Sequence, residues 1–274
     1  MPELPEVQTI VNSLKHTIIG KQIIDIGIVY RNVIAGISPD EFISTLTGKI
    51  FKHVMRYGKY IVISTDDHIS LLIHLRVTGC LLYFDGMVSP GRYLGVYLGF
   101  DDGSYLSYHD KWRWGRLYLW HHQRISNIPQ IQCLGPDLMK GEIDAREFYT
   151  SLSTSSSTVH RWLLNQRNIA GLGNIYVNEG LYRAQISPAR PCNTLSEIGA
   201  TRLYHTLVMV MTEAIGYRGT TFSDYRDIFG HPGQFQAHLQ VFRRAGQACT
   251  RCGHQIVRSK LGGRSIFYCS RCQF

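Results

Sequence analysis

The chain has 274 residues, 44% of them hydrophobic, and a formal net charge of +9. That length accommodates two modest domains and a small module, and the composition suits a globular protein with real cores. No run of about 18 apolar residues occurs, which excludes a membrane-spanning helix. The opening Met1-Pro2-Glu3-Leu4-Pro5-Glu6 has neither the basic n-region nor the apolar h-region of a secretory signal, so the expected location is the cytoplasm, at the nucleoid in a bacterium.

Taken in chain order, the first 15 or so residues read as a helix, because Val7, Ile10, Val11 and Leu14 recur at helical spacing. Pro2 and Pro5 are compatible with a first turn or with the residues before it. From about Lys21 to His121 the pattern is β. The segments Ile23–Tyr30, Tyr60–Ser64, Ile69–Leu75, Arg92–Phe100, Ser104–Tyr108 and Arg116–Trp120 are rich in β-branched and aromatic residues, with turn signals such as Asp101-Asp102-Gly103 between them. An antiparallel β-sandwich with the first helix against it is expected for residues 1–121. Residues 122–145 show little periodicity and read as a linker. Helical patterning returns in Phe148–Leu152, His160–Leu164, Ile175–Ala184 and Ala200–Ile215, and residues 218–234, rich in Gly, Thr, Asp and Pro, read as a mobile loop. Residues 146–234 thus form an expected helical domain with its loop, and 235–274 a terminal module. The fold class is α+β and multidomain.

The terminal module carries the most specific spacing. Cys249-x-x-Cys252, sixteen residues, then Cys269-x-x-Cys272 supplies four thiolates for a closed tetrahedral site, so one structural Zn²⁺ is expected. Between the knuckles lie Gln255–Lys260, Leu261-Gly262-Gly263 and Arg264–Tyr268, that is, strand, glycine turn, strand, with Arg264 beside the tip. Cys80, Cys133 and Cys192 are scattered and read as small buried or half-buried hydrophobes. Residues 235–274 also hold Arg243, Arg244, Arg251, Arg258, Lys260, Arg264 and Arg271 but no Asp or Glu. A segment so one-sided calls for a counter-charge, and DNA phosphate is the expected one.

The N-terminus offers a second chemistry. Removal of Met1 before the small Pro2 would leave a free secondary amine, able to attack an electrophilic carbon and form a charged imine. Placement at a helix N-terminus would lower the pKa of that amine. Glu3 and Glu6 lie within one turn, where a carboxylate can shuttle protons. Taken alone, these are also ordinary first-turn residues.

The start MPELPEV, the segment Gln166–Glu179 (QRNIAGLGNIYVNE) and the four-cysteine hairpin together resemble the formamidopyrimidine-DNA glycosylase/endonuclease VIII family, on its formamidopyrimidine branch. The likeness runs in order from Met1 to Phe274 and is loosest over residues 80–160. It implies a base-excision repair enzyme, a DNA glycosylase and abasic-site lyase that flips oxidised or ring-opened purines out of double-stranded DNA, attacks C1′ and cleaves by β,δ-elimination. By the resemblance Pro2 is the nucleophile, Glu3 the general acid/base, and Glu6 a supporting group. Lys59, Asn174 and Arg264 contact phosphate, Asn174 from a helix–two-turn–helix element, and residues 218–234 cap the everted base. One zinc, no organic cofactor, no membrane and a monomeric state are implied.

Departures from the family pattern fall in one place. The family fills the hole left by the flipped base with a Met, an Arg and an aromatic. The matching stretches are His74-Leu75-Arg76-Val77 and Asp110-Lys111-Trp112-Arg113-Trp114-Gly115, so Val77, Trp112 and Trp114 stand in those roles. A shifted register would give the role of Trp112 to Arg113. Trp can stack on a base but has a single donor and cannot make a bidentate contact. Thr78 and Asn165 also replace acids seen in relatives. Two further readings stay open: a divergent paralogue acting mainly on abasic sites or other lesions, and a non-catalytic DNA-damage-binding protein that keeps the scaffold.

Overall fold

Helix α1 (Leu4–Thr17) starts where the sequence places it, with Pro5 in its first turn and Glu3 as the residue before it. The Glu3 N–H donates to the Glu6 carboxylate at 2.7 Å, so one of the helix's unpaired N-terminal donors is satisfied from within. Val7, Ile10, Val11 and Leu14 form its buried stripe. The structure, a computed structural model, describes residues 1–86, 91–121 and 124–274. By contact the chain divides into two compact units, Met1–Gln132 with Tyr217–Gln236, and Cys133–Gly216 with Ala237–Phe274. Among the described residues no helix is long and apolar enough to cross a membrane.

In the first unit α1 is followed by β1 (Ile23–Ile28), β2 (Ile34–Ala35), α2 (Pro39–Leu46), β3 (Phe51–Tyr57), β4 (Tyr60–Thr65), β5 (Ile69–His74), β6 (Gly79–Phe84), β7 (Leu94–Phe100), β8 (Tyr105–Asp110), β9 (Arg116–His121) and the short α3 (Pro129–Gln132). One sheet runs β1-β7-β8-β6 and the other β2-β9-β5-β4-β3. Among the described residues every strand pairing in the two sheets is antiparallel except the two-residue β2–β9 contact, which is parallel, so the antiparallel sandwich expected from sequence has one parallel edge. Residues of α1, α2 and both sheets share one apolar core. Phe51 and Phe100, one from each sheet, meet edge to face within it with ring centroids 6.1 Å apart.

Strands β2, β3 and β6 and helix α2 were not expected. Strand β3 alternates poorly because a bulge interrupts its register between Phe51 and His53. Strand β6 opens on a glycine. Helix α2 is announced by Ser38, whose hydroxyl accepts from the Glu41 N–H at 3.1 Å, and by Pro39 at its first position. Two residues of the expected linker, His122 and Gln123, lie outside the described residues. The rest of that segment contains α3 and two short 3-10 turns.

In the second unit α4 (Ala145–Ser153), α5 (Val159–Leu164), α6 (Asn174–Arg183) and α7 (Glu197–Gly216) precede the hairpin of β10 (Val257–Leu261) and β11 (Arg264–Tyr268). The two turns between α5 and α6 are wired by the Gln166 side chain. Its amide N–H groups donate to the carbonyls of Leu164 (3.0 Å) and Leu172 (2.9 Å), and its oxygen accepts from the Gly171 N–H at 2.9 Å. The hairpin pairs Val257–Leu261 with Tyr268–Arg264 around Gly262-Gly263, both at positive φ. Cys133 is exposed rather than buried or half-buried.

Phe100→Ala removes half of the aromatic bridge between the sheets and leaves a cavity at a site 1% exposed. The expected cost is about 3–5 kcal/mol, read as a lowered denaturant midpoint for the sandwich.

Candidate catalytic and nucleic-acid-binding groups

Pro2 is buried and Met1, at 47%, is exposed. Glu3 and Glu6 beside it are 3% and 1% exposed. A carboxylate so buried needs donors, and Glu6 has two from the backbone. Oε2 accepts from Glu3 and Oε1 accepts from the Thr220 N–H, each at 2.7 Å. The second bond reaches across the sequence to residues 217–236, which also pack Tyr225 and Ile228 into the sandwich core and accept the Tyr83 N–H at the Ile228 carbonyl (2.7 Å), and so group with the first unit although they follow the helical segment. The approach is close enough to demand glycine. At Gly219 (φ +79°) a Cβ would lie 2.7 Å from Glu6 Oε1. Residues 218–234 carry no helix or strand but are tethered at several points. Thr221 Oγ1 accepts from Gly233 N–H at 2.9 Å, and the Asp227 carboxylate accepts from the N–H groups of Phe229 and His231 at 3.0 and 2.8 Å.

Lys59 sits with Gly58 in the two-residue turn joining β3 to β4. Arg56 fixes that turn, donating to the Gly58 carbonyl (3.2 Å) and to Gln8 of α1 (2.8 Å). The charges of Arg76 and Lys59 add to burial in pushing His74 down to about 3. The geometry agrees, because His74 Nδ1 accepts the Arg76 N–H at 3.1 Å and must be unprotonated to do so. This bond closes a corner in which Arg76 is left-handed (φ +57°) and Val77 is half-buried.

Beside that corner, buried Asp110 organises the next loop. Its Oδ1 accepts from the Trp112 N–H at 3.1 Å and from the Thr78 hydroxyl. Its Oδ2 accepts from the Gly115 N–H at 2.7 Å and the Tyr108 hydroxyl at 3.1 Å. Trp112 and Trp114 emerge exposed, with ring centroids 5.0 Å apart. Arg113 departs from them, its guanidinium lying 5.0 Å above the Tyr30 ring.

In the second unit Asn174 opens α6. Its Nδ2 donates to the Ser265 carbonyl at 2.9 Å, and its Oδ1 meets His160 Nε2 at 2.9 Å and Asn178 Nδ2 at 3.2 Å. Because Oδ1 only accepts, the His160 tautomer carries its proton on Nε2. One turn on, Asn178 Oδ1 accepts from the Phe267 N–H at 2.7 Å. These two asparagines register β11 against α6, and so set Arg264, the first residue of β11, relative to Asn174. A groove of about 720 Å³ is lined by Asn174, Arg243, Arg258, Arg264, Ser265 and Phe267 among others. Glu179, fully buried, accepts from the N–H groups of Gln240, Val241 and Phe242 at 2.9, 3.0 and 2.8 Å. Burial pushes its carboxyl up, and the three donors pull it back.

The sulfurs of Cys249, Cys252, Cys269 and Cys272 lie within 4.8 Å of one another, with 3.8 Å between Cys249 and Cys272 and 3.5 Å between Cys252 and Cys269. Four thiolates at about 2.3 Å from a tetrahedral Zn²⁺ would stand about 3.8 Å apart, so the cluster fits one structural zinc. The Tyr182 hydroxyl is 3.1 Å from Cys249 Sγ, which gives that thiolate an outer hydrogen-bonding partner.

Sequence reasoning did not single out Asp110, His160, Asn178 or Glu179. The signal for Asn178 was available, since Asn174, Asn178 and Tyr182 repeat every fourth residue along an otherwise buried helix and mark a polar line that needs partners.

Comparison with known proteins agrees along the whole chain. Residues 1–117 match the formamidopyrimidine-DNA glycosylase N-terminal domain, 134–226 its H2TH domain, and 246–273 the zinc finger found in FPG and IleRS. A formamidopyrimidine-DNA glycosylase of Pelotomaculum thermopropionicum is 37% identical over 274 residues, covering 100% of this chain and 99% of the relative. That of Streptococcus pneumoniae is 36% identical over 273 residues, with 100% and 99% covered. Among solved structures, the Lactococcus lactis Fpg bound to abasic-site DNA superposes with a TM-score of 0.92 at 29% identity, covering 100% of both chains. The same protein bound to DNA containing N7-benzyl-Fapy-dG gives 0.92 at 30%, covering 99% of each.

Two outcomes follow from this geometry. His74 stays neutral in the fold while an unfolded histidine takes a proton below about 6.5. Its contribution to stability is therefore present above that pH and is lost as pH falls toward 3, at up to about 1.4 kcal/mol per pH unit. Denaturant melts of wild type and His74→Gln between pH 6.5 and 4 should diverge by that slope, and parallel curves would contradict it. Stripping the metal with a chelator should unfold the β10–β11 hairpin and weaken DNA binding at least about tenfold; unchanged affinity of the metal-free protein would refute the zinc's role.

Proposed function

The chain belongs to the formamidopyrimidine-DNA glycosylase family, and from that premise we propose how its own residues carry out base-excision repair as a DNA glycosylase and abasic-site lyase. The observation that carries the reading is the placement of Pro2 next to the N-cap residue Glu3 at the start of α1, with Glu6 in the first turn bonded to Thr220. With Met1 removed, the Pro2 nitrogen is a secondary amine at the positive end of a helix, which favours its unprotonated, nucleophilic form. A damaged base must leave the stack to expose its sugar. The amine attacks C1′, the glycosidic bond breaks, and the leaving base takes up a proton. An iminium then joins Pro2 to the opened sugar. Its charge acidifies the C2′ protons, and loss of one expels the 3′ phosphate; a second elimination expels the 5′ phosphate.

Glu3 is assigned the proton transfers at the sugar ring oxygen. Glu6 is a positioning residue, since its oxygens each accept a backbone N–H and hold residues 217–236 against α1. Within that segment, residues 218–234 cap the everted base. Lys59, on the turn fixed by Arg56, meets a phosphate of the damaged strand. Asn174 and Arg264 do the same from the second unit, where a backbone-registered hairpin and a basic groove suit a phosphodiester chain. The substrates are oxidised and ring-opened purines in double-stranded DNA. No step needs an organic cofactor, and a monomer acting at the nucleoid suffices for the chemistry.

The test is borohydride trapping on a labelled abasic-site duplex, with the intact mass of the protein confirming loss of Met1. Wild type should form a covalent adduct, and Pro2→Gly should form none. Glu3→Gln should lower base excision by about 10²–10⁴-fold. An adduct at wild-type level from Pro2→Gly would sink the nucleophile assignment, and absence of any adduct from the Met1-free wild type would leave a DNA-damage-binding protein without chemistry.

A further inference from the structure

We propose that the cleft between the end of α4 and the loop joining α5 to α6 is a second phosphate-binding site, which holds the DNA backbone at a place separate from the groove of Asn174 and Arg264. The inference rests on the DNA-repair reading above and adds to it a contact that reads no lesion.

The cleft has a volume of about 790 Å³, slightly more than the groove at Asn174, and the two share no lining residue. Ser155, Ser157, Arg161, Asn165, Arg167 and Asn168 line it, and no Asp or Glu does. Its one aromatic, Trp162, is buried. The cleft therefore offers charge and hydrogen bonds rather than apolar burial. Pockets for small organic ligands are lined mostly by apolar side chains, whereas surfaces that meet nucleic acid are polar and positive.

Arg161 and Arg167 select the ligand. Both are exposed, and among the described residues neither guanidinium has a hydrogen bond or an ion pair. Other arginines of the same unit are committed: Arg183 donates to Glu213 at 2.7 Å, Arg202 to the Ala184 carbonyl at 2.9 Å, and Arg251 to the Tyr182 carbonyl at 2.9 Å. Two like charges on one cleft repel until an anion joins them, and the planar donor fork of a guanidinium matches the oxygens of a phosphate. Ser155 adds a neutral donor. Its Oγ accepts the Ser157 N–H at 3.2 Å, while its own hydroxyl proton has no acceptor among the described residues.

The walls are set before any ligand arrives. Trp162 packs edge to face on Phe148 of α4 with ring centroids 5.7 Å apart, Asn168 Nδ2 donates to the Trp162 carbonyl at 3.0 Å, and the Arg167 N–H donates to Asn165 Oδ1 at 3.1 Å. A Cβ at Gly135 would lie 2.3 Å from the Arg167 carbonyl oxygen, so the turn bearing Arg167 is packed tightly on the chain beside it. Such preorganisation leaves little ordering entropy to lose on binding. Continuity names the occupant. The loop that supplies Asn165, Arg167 and Asn168 ends at Asn174, and Gln166 ties its two ends through the Leu164 and Leu172 carbonyls. A duplex held at Asn174 thus has a second cationic anchor on the same loop, and phosphate contacts of this kind position a duplex without reading its bases.

The experiment measures affinity against salt concentration for two duplexes, one undamaged and one carrying a non-cleavable tetrahydrofuran abasic analogue, so that it does not depend on catalysis. Arg161→Gln and Arg167→Gln should each weaken both duplexes by about fivefold near 0.1 M salt and lower the slope of log K against log[salt] by about 1, with the ratio of the two affinities kept within about twofold. Arg146→Gln removes an equal charge from α4 outside the cleft and should leave the slope as it is. An unaltered slope in either cleft variant, or an equal fall in Arg146→Gln, would overturn the proposal. Calorimetric titration with inorganic phosphate covers the other source of the same chemistry. Saturable heat that disappears in the Arg161→Gln/Arg167→Gln double variant, with DNA slopes unaltered, would make the cleft a site for free phosphate and refute the DNA assignment. The two readings fail separately. Wild type with no preference for the tetrahydrofuran duplex sinks the repair reading, and a retained preference with unaltered slopes sinks the cleft alone.

Discussion

A carboxylate withdrawn from water must be solvated by the protein, and Glu6 shows what that requirement organises. At 1% exposure its desolvation costs several kcal/mol unless donors replace the lost water. It draws one N–H from the start of its own helix and one from Thr220, more than two hundred residues further along the chain. The bond that solvates Glu6 thereby pins a segment without helix or strand against the residues flanking Pro2. Gly219 is part of the same requirement, because no side chain fits at that approach.

The device recurs. Asp110 gathers four donors and fixes the loop bearing Trp112 and Trp114. Glu179 gathers three consecutive N–H groups and fixes residues 240–242, where the chain enters the zinc module. In each case one acidic side chain on a regular element dictates the course of an irregular segment. A backbone N–H cannot be mutated away, so such a contact depends on one side chain rather than two. Replacing that carboxylate by an amide would turn one acceptor oxygen into a donor facing other donors, and the loop would lose its reason to stay.

How far this was legible in the sequence follows from the range of each signal. The buried stripe of α1, the strands β4, β5 and β9 and the zinc hairpin all announce themselves by local period or spacing. Strand β3 does not, because its bulge breaks the alternation that would have revealed it. The grouping of residues 217–236 with the sandwich is invisible locally, since it depends on contacts distant in sequence, the bond from Thr220 to Glu6 and the packing of Tyr225 and Ile228 in the core. At the loop where the sequence left Trp112 and Arg113 as alternatives, the backbone angle separates the two side chains. A left-handed Arg113 sends its guanidinium to Tyr30 and leaves the two indoles facing each other. Pro2 and Glu3 are legible as chemistry, while Asp110, His160 and Glu179 act through what they hold, and holding is a property of three-dimensional neighbours.

The division between units also bears on the metal. The four cysteines, Tyr182, Asn174 and Arg264 lie in one compact unit, and Pro2, Glu3, Glu6 and Lys59 lie in the other. A zinc closed by four thiolates has no open position for a substrate oxygen, and the groups that could form an imine need no Lewis acid. The metal's influence runs instead through α6. Tyr182 contacts Cys249, Asn178 accepts from Phe267, and Asn174 donates to Ser265, so one helix carries the hairpin's order to the residue assigned to phosphate. A hairpin of five-residue strands would be marginal alone. Zinc at one end and two asparagines along its length make it a fixed arm, and Arg264 at its turn is placed by both.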